Sequence, residues 1–125
     1  MAIESMITGI QHIGIPCADL DETIRFYEGL GFQLTWRAAP GSAGNVAFLQ
    51  KGTCVIETYT GAPLARANGA VDHIALNVTD IGSVFAWINA SETYQSLDAE
   101  IQQLPFFEHG VRFFRISGPN GETVE

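Results

Sequence analysis

The feature that most limits what this chain can fold into is an internal repeat. Gln11-His12-Ile13-Gly14-Ile15, followed by Asp19-Leu20, returns as Asp72-His73-Ile74-Ala75-Leu76, followed by Asp80-Ile81. His12 matches His73, Ile13 matches Ile74 and Asp19 matches Asp80, all at an offset of 61. Val46 and Phe48 match Val111 and Phe113 at an offset of 65, and the Thr53–Glu57 stretch matches the Gly121–Glu125 stretch at 68. The growing offset reflects a longer middle and a longer final turn in the second copy. A chain built this way folds as two copies of one supersecondary unit.

In the first copy, Ile7 to Ile15 reads as a strand. Its alternation puts Ile13 and Ile15 on one face and His12 and Gly14 on the other. Asp19 is the expected N-cap of a helix, with Glu22 three residues on in a capping-box arrangement. Leu20, Ile24 and Tyr27 form the buried stripe, Glu22, Arg25 and Glu28 the solvated face, and Gly29 and Gly31 the stop. Strands are expected over Phe32 to Arg37, Val46 to Leu49 and Thr53 to Tyr59. A loop at Pro40-Gly41-Ser42-Ala43-Gly44 and a turn at Lys51-Gly52 join them. That is β-α-β-β-β, followed by a linker from Thr60 to Ala70.

The second copy begins on a strand at Val71, with Ile74, Leu76 and Val78 as its buried face. Asp80 caps a helix with the stripe Ile81, Val84, Phe85 and Ile88. From Asn89 to Glu100 no clean period is visible. Strands are expected at Ile101 to Leu104, Val111 to Ser117 and Thr123 to Glu125. Pro105 to Gly110 reads as a loop and Gly118-Pro119-Asn120-Gly121 as a turn.

The totals fit a single globular domain. The chain has 125 residues, is 46% hydrophobic and carries a net charge of −8. An acidic chain of this kind lacks the basic patch that nucleic acid or an anionic membrane requires. Cys17 and Cys54 show no metal-ribbon or CxxC spacing, so a reduced, cytoplasmic protein is expected. The N-terminal residues have no cationic start or apolar run of a signal peptide, and no apolar run is long enough to span a membrane.

The repeat also pairs Glu57 with Glu125. Each copy therefore offers one histidine from its first strand and one glutamate from its last, both facing away from the helix. Two imidazoles and two carboxylates from two modules suit a divalent first-row metal and leave room for waters or a chelating substrate. Any one of these four residues alone reads as the polar side of a half-exposed strand. Their symmetric identity and facing favour a site. His109, beside Glu108 in a loop, has no counterpart and reads as surface.

These motifs resemble the vicinal oxygen chelate (glyoxalase/bleomycin resistance/dioxygenase) superfamily. The resemblance rests on His12-Ile13-Gly14-Ile15, Asp19-Leu20 through Arg25-Phe26-Tyr27, Val55-Ile56-Glu57, Asp72-His73-Ile74-Ala75 and the Gly118–Gly121 turn. It covers nearly the whole chain except about 89–100. It implies an α+β fold in which two tandem βαβββ modules, about 7–60 and 71–125, form a curved sheet cup as one glyoxalase-like domain. The order His, Glu, His, Glu is similar to bacterial glyoxalase I (lactoylglutathione lyase). Methylmalonyl-CoA epimerases usually carry Gln where Glu57 stands. Extradiol dioxygenases use two His and one Glu, and bleomycin-resistance binders generally lack the metal set.

The resemblance implies metal ligands His12, Glu57, His73 and Glu125, with nickel or zinc as the metal. It implies isomerisation of a glutathione–methylglyoxal hemithioacetal, the metal stabilising an enediolate while a carboxylate moves the proton. Glu125 is then the base, and Glu57 the symmetric ligand that can share the role. Other implied activities are an epimerase of an α-oxygenated or CoA substrate and a non-catalytic small-molecule-binding resistance protein. A homodimer is implied, with the metal held between modules of different chains or within one. A glutathione adduct would call for cations, for which Arg37, Arg66, Arg112 and Arg115 are available, most of them with a surface reading. Family members usually continue the last strand beyond the final glutamate, and this strand is expected to run on past Glu125.

Overall fold

The protein is described by a computed structural model over residues 3–39, 45–69 and 71–125. The expected loop at Pro40–Gly44 and the end of the expected linker at Ala70 lie outside the described residues. The chain divides into two compact units, Met1–Leu64 and Ala65–Glu125. The division falls inside the expected linker.

The first unit carries a one-turn 3-10 helix at Ile3–Ser5, then β1 (Ile13–Pro16), α1 (Leu20–Gly29), β2 (Gln33–Arg37), β3 (Val46–Lys51) and β4 (Cys54–Tyr59). This is the expected β-α-β-β-β order. The strands form one sheet in the order β1-β4-β3-β2, with β1 parallel to β4 and the others antiparallel. Asp19 caps α1 by accepting from the Glu22 N–H at 3.0 Å. The stripe Leu20, Ile24 and Tyr27 is buried, joined by Thr23 and Phe26. Beneath it lie Ala47 and Leu49 of β3 and Ile56 and Thr58 of β4, all at most 1% exposed. Burying a side chain such as Leu49 or Ile56 is worth about 1.5–3 kcal/mol, so this layer fixes which sheet face turns to the helix.

The first strand is shorter than expected. It starts at Ile13, not Ile7, and Ile7 and Ile10 are exposed. The pairing Ile13↔Ile56 puts the first residue of β4, Cys54, level with Gln11. Among the described residues, none upstream of Gln11 has a strand to bond with. His12 therefore sits on the approach to β1.

In the second unit the order is α2 (Ile81–Ala90), β5 (Gln102–Leu104), β6 (Val111–Phe113), β7 (Ile116–Ser117) and β8 (Thr123–Val124). Asp80 caps α2, accepting from the Ser83 N–H at 3.1 Å and the Ser83 hydroxyl at 2.8 Å. The expected strand from Val71 is reduced to a single parallel bridge, Ile74↔Val124. Its partner β8 spans Thr123–Val124, and Val78 is exposed. The bridge is still the counterpart of Ile13↔Ile56, since the repeat matches Ile13 to Ile74 and Ile56 to Val124.

The expected strand Val111–Ser117 is split. β6 pairs with β5, and β7 pairs with β8. Between them the Arg115 N–H donates to Asp98 Oδ2 at 2.8 Å, and the Arg115 carbonyl accepts from the Leu97 N–H at 2.7 Å. Arg115 bonds to the 89–100 stretch, not to a strand of the ladder. That stretch, unreadable by periodicity, is held by these bonds and by the bridge Ser96↔Ile116.

Candidate metal centre

In the first unit the sheet face opposite α1 carries the candidate residues. Alternation along β4 puts Ile56 and Thr58 on the helix side and Glu57 and Tyr59 on the open side. Glu57 Oε1 lies 3.8 Å from His12 Nε2. The other ring nitrogen of His12, Nδ1, is hydrogen-bonded to the side-chain oxygen of Gln11. The His12 ring stands edge-on to Phe48 at 5.6 Å between centroids, and Phe48 stands edge-on to Trp36 at 6.1 Å. Gly14 is level with Glu57. A Cβ at Gly14 would lie 3.6 to 3.7 Å from the Tyr59 ring and hydroxyl and from Glu57 Oε1. Glycine keeps these polar atoms uncovered.

The second unit repeats the pair. His73 Nε2 lies 3.6 Å from Glu125 Oε1. Although Glu125 lies just beyond β8, its backbone is held on both sides. Its N–H donates to the Ile74 carbonyl and its carbonyl accepts from the Leu76 N–H, both at 2.8 Å. His73 Nδ1 bonds to Asp72 Oδ2 at 2.9 Å. Asp72 is anchored by Asn68 Nδ2 at 3.1 Å, and Asn68 Oδ1 accepts from the Thr123 hydroxyl at 2.8 Å. Hydrogen bonding to Asp72 raises the His73 pKa, with the Glu125 charge adding to it against desolvation. The same hydrogen bond leads the causes that hold Asp72 below the ordinary carboxylate value.

The two pairs share one logic. The residue before each histidine, Gln11 or Asp72, takes Nδ1, so the neutral ring keeps its Nε2 lone pair towards the glutamate. Metal-bound histidines are oriented by partners of this kind. Two donors each about 2.1 Å from one metal can be at most about 4.2 Å apart, and both Nε2–Oε1 distances fall inside that limit. Each pair thus fits a divalent cation in donor type and spacing. Among the described residues, no group of three or more His, Cys, Asp or Glu side chains is arranged to hold a metal. Each unit holds one His–Glu pair.

Sequence reasoning missed the supports of these pairs. Asn68 gave no signal beyond polarity in a linker, and Asp72, inside the repeated motif, was not read as a support of His73. Trp36, Phe48 and Tyr59 read as ordinary strand aromatics. His109 lies as expected at the surface, 3.9 Å from Glu108 with both side chains 88% exposed. Of the cations considered for an anionic substrate, Arg37 is bonded to Asp21 at 2.8 Å and Arg115 to Asp98 at 2.7 Å.

A duplicated βαβββ unit with a His–Glu pair in each copy defines a class of protein, and the comparisons agree with it. Residues 9–125 match the family model of the Glyoxalase/Bleomycin resistance protein/Dioxygenase superfamily. The chain belongs to this superfamily. It is 33% identical to the uncharacterized protein YwbC of Bacillus subtilis (strain 168), over 96% of this chain and 97% of that one. In fold it is similar to the fosfomycin resistance protein FosX from Listeria monocytogenes, with a TM-score of 0.73 and 17% identity over 95% of this chain and 89% of that one. It is also similar to TnmS3, an antibiotic binding protein from Streptomyces sp. CB03234, with a TM-score of 0.72 and 18% identity over 94% and 93%. Superfamily members bind small molecules, commonly use divalent metals and often form dimers. Among the described residues, no helix is long and apolar enough to cross a membrane.

Proposed function

We propose that this protein is a metal-dependent enzyme of the glyoxalase I type, moving a proton between adjacent carbons of a small α-oxygenated substrate. One observation carries the reading: the same His Nε2–Glu Oε1 pair, oriented through Nδ1 in the same way, occurs in both modules. The two modules act as one cytoplasmic glyoxalase-like domain and assemble as a homodimer. His12, Glu57, His73 and Glu125 together would hold the metal, a divalent first-row ion by donor type and nickel or zinc by the resemblance. The bound ion would supply Lewis-acid stabilisation of the enediolate oxygens.

Glu125 is the base. Its carboxylate takes the proton from one carbon and returns it to the neighbouring carbon, so the product is an isomer of the substrate. Glu57, its counterpart in the first module, can share the transfer. Glu125→Gln keeps the size and the backbone bonds to Ile74 and Leu76 but cannot accept the proton. It should lower turnover by about 10²–10⁴-fold with the fold intact by circular dichroism. Full activity in that variant overturns the assignment. Thioester formation from methylglyoxal and glutathione tests the lactoylglutathione lyase reading directly. Metal-loaded protein without that activity points to another α-oxygenated or CoA substrate, as for an epimerase.

A second reading, a non-catalytic small-molecule-binding resistance protein, is favoured by the exposed aromatic face around Phe48 and by the likeness to TnmS3. Protein purified without chelator that holds less than about a tenth of an equivalent of metal, and takes up neither nickel nor zinc, supports the binder.

A further inference from the structure

The open face of the first sheet says what kind of molecule it suits. β2 and β3 pair as Leu34↔Leu49 and then Trp36↔Phe48, with a register shift between Leu34 and Trp36. Leu49 faces α1 and Phe48 faces away. Without the extra residue, Leu34 and Trp36 would share a face. The bulge at Thr35, whose hydroxyl bonds the Phe48 carbonyl at 3.2 Å, turns Trp36 over to the open side. A bulge that re-aims one side chain is a device often found beside active sites. Its result here is a line of rings, Trp36–Phe48–His12, ending at Glu57, with Trp36 55% exposed.

The charges of this unit are arranged the other way. Its cations are Arg25, Arg37 and Lys51. Arg25 is on the outer side of α1. Arg37 pairs with Ala47, a helix-side residue, and its guanidinium is bonded to Asp21 of α1. Lys51 shares the face of Ala47 and Leu49, and its Nζ lies against Gly31 at the end of α1. None of the three is on the open face, which carries a carboxylate and aromatic rings.

We infer that the substrate is an uncharged aromatic α-oxygenated compound, its ring packed against Trp36 and Phe48 and its vicinal oxygens at the His12–Glu57 end, and not a glutathione adduct. This rests on the metal-dependent reading above and narrows its substrate. The two carboxylates of a glutathione adduct would need cations, and this face has none. An aryl group meets edge-and-face partners at spacings that favour aromatic pairs. Trp36 is the specificity-determining residue.

The test uses two neutral probes with the same oxygens, hydroxyacetone and 2-hydroxyacetophenone, which differ by a phenyl ring in place of a methyl. The zinc-loaded full chain is titrated with each, and with S-lactoylglutathione, following the indole N–H signals of Trp36 and Trp87 by NMR. The Trp36 signal is assigned from Trp36→Phe. The aryl probe should bind at least about tenfold more tightly than hydroxyacetone and move the Trp36 signal, not that of Trp87. Trp36→Ala should bring the ratio close to one with zinc stoichiometry unchanged. Equal binding of the two probes, a preference that survives Trp36→Ala, or tightest binding by S-lactoylglutathione overturns the inference. So does a Trp36 signal that shifts with protein concentration alone, since a second copy then occupies the face. Zinc bound without aryl preference defeats this inference and leaves the metal reading standing. Aryl preference in protein that takes up no zinc does the reverse.

Discussion

At the scale of single residues, two groups outside the candidate centre set stability. Asp98 is nearly buried, its side chain 7% exposed, and it accepts from Arg115 Nη2 at 2.7 Å, Nε at 3.1 Å and the backbone N–H at 2.8 Å. The Arg115 side chain leads the causes that lower its pKa. A carboxylate whose folded pKa is lowered adds stability that is complete above its unfolded value, about 3.9, and is lost as pH falls through the folded value. Asp98→Asn should therefore lower the melting temperature by a few degrees at neutral pH and flatten the fall in stability below about pH 4. An acid-unfolding profile unchanged in the variant contradicts this. The hydroxyl of Thr58 is the opposite case. It is fully buried on the helix side of β4 with no hydrogen-bond partner among the described residues. Thr58→Val removes the unpaired group at nearly constant shape and should raise unfolding free energy by about 1 kcal/mol in denaturant titration. A loss of similar size would mean that the hydroxyl is satisfied.

At the scale of elements, local chemistry was legible wherever the signal was local. Both helices start at the expected aspartates because an Asp side chain placed to accept from the third N–H is a short-range device. The Leu20–Ile24–Tyr27 stripe needs no tertiary information. Strand lengths were not legible, because a strand extends only as far as its partner. Ile7–Ile10 has none among the described residues, and the Val71 segment meets β8 in the single bridge Ile74↔Val124. The bulge at Thr35 leaves no trace in Leu34-Thr35-Trp36, which reads as plain alternation, so the placing of Trp36 was invisible. The turn after β7 was legible as Gly118-Pro119-Asn120-Gly121, but not its wider role. Gly121 has φ +83°, and a Cβ there would lie 2.4 to 2.7 Å from backbone atoms of Arg66. The turn thus packs against the segment that supplies Asn68. Backbone cannot give way as a side-chain tip can. Gly121→Ala should cost at least about 2 kcal/mol in chemical denaturation, from the left-handed φ and the overlap together. A cost near zero would show that the turn and the Arg66 segment separate freely.

At the scale of the whole molecule, the repeat made the four candidate ligands legible. A histidine or glutamate on one strand is ambiguous, whereas two copies carrying the same residues at matching positions single out one His–Glu pair in each unit. The same symmetry leaves open which chain completes a site, because one chain's two pairs and two chains' exchanged pairs have identical sequences. The glyoxalase I resemblance implies a metal held between modules of different chains or within one, and variants can tell these apart. His12→Ala should abolish metal uptake, and so should His73→Ala, each removing one donor from a four-donor set. If sites form between chains of a dimer, co-refolding equal amounts of the two variants rebuilds a complete set in every mixed dimer. The His73→Ala chain gives His12 and Glu57, and the His12→Ala chain gives His73 and Glu125. With half the dimers mixed and one intact site in each, bound zinc should return to about a quarter of an equivalent per chain. No recovery, in a mixture shown by native mass spectrometry to contain mixed dimers, assigns all four ligands to one chain. Metal uptake undiminished in either single variant would instead show that the two pairs do not act on one ion.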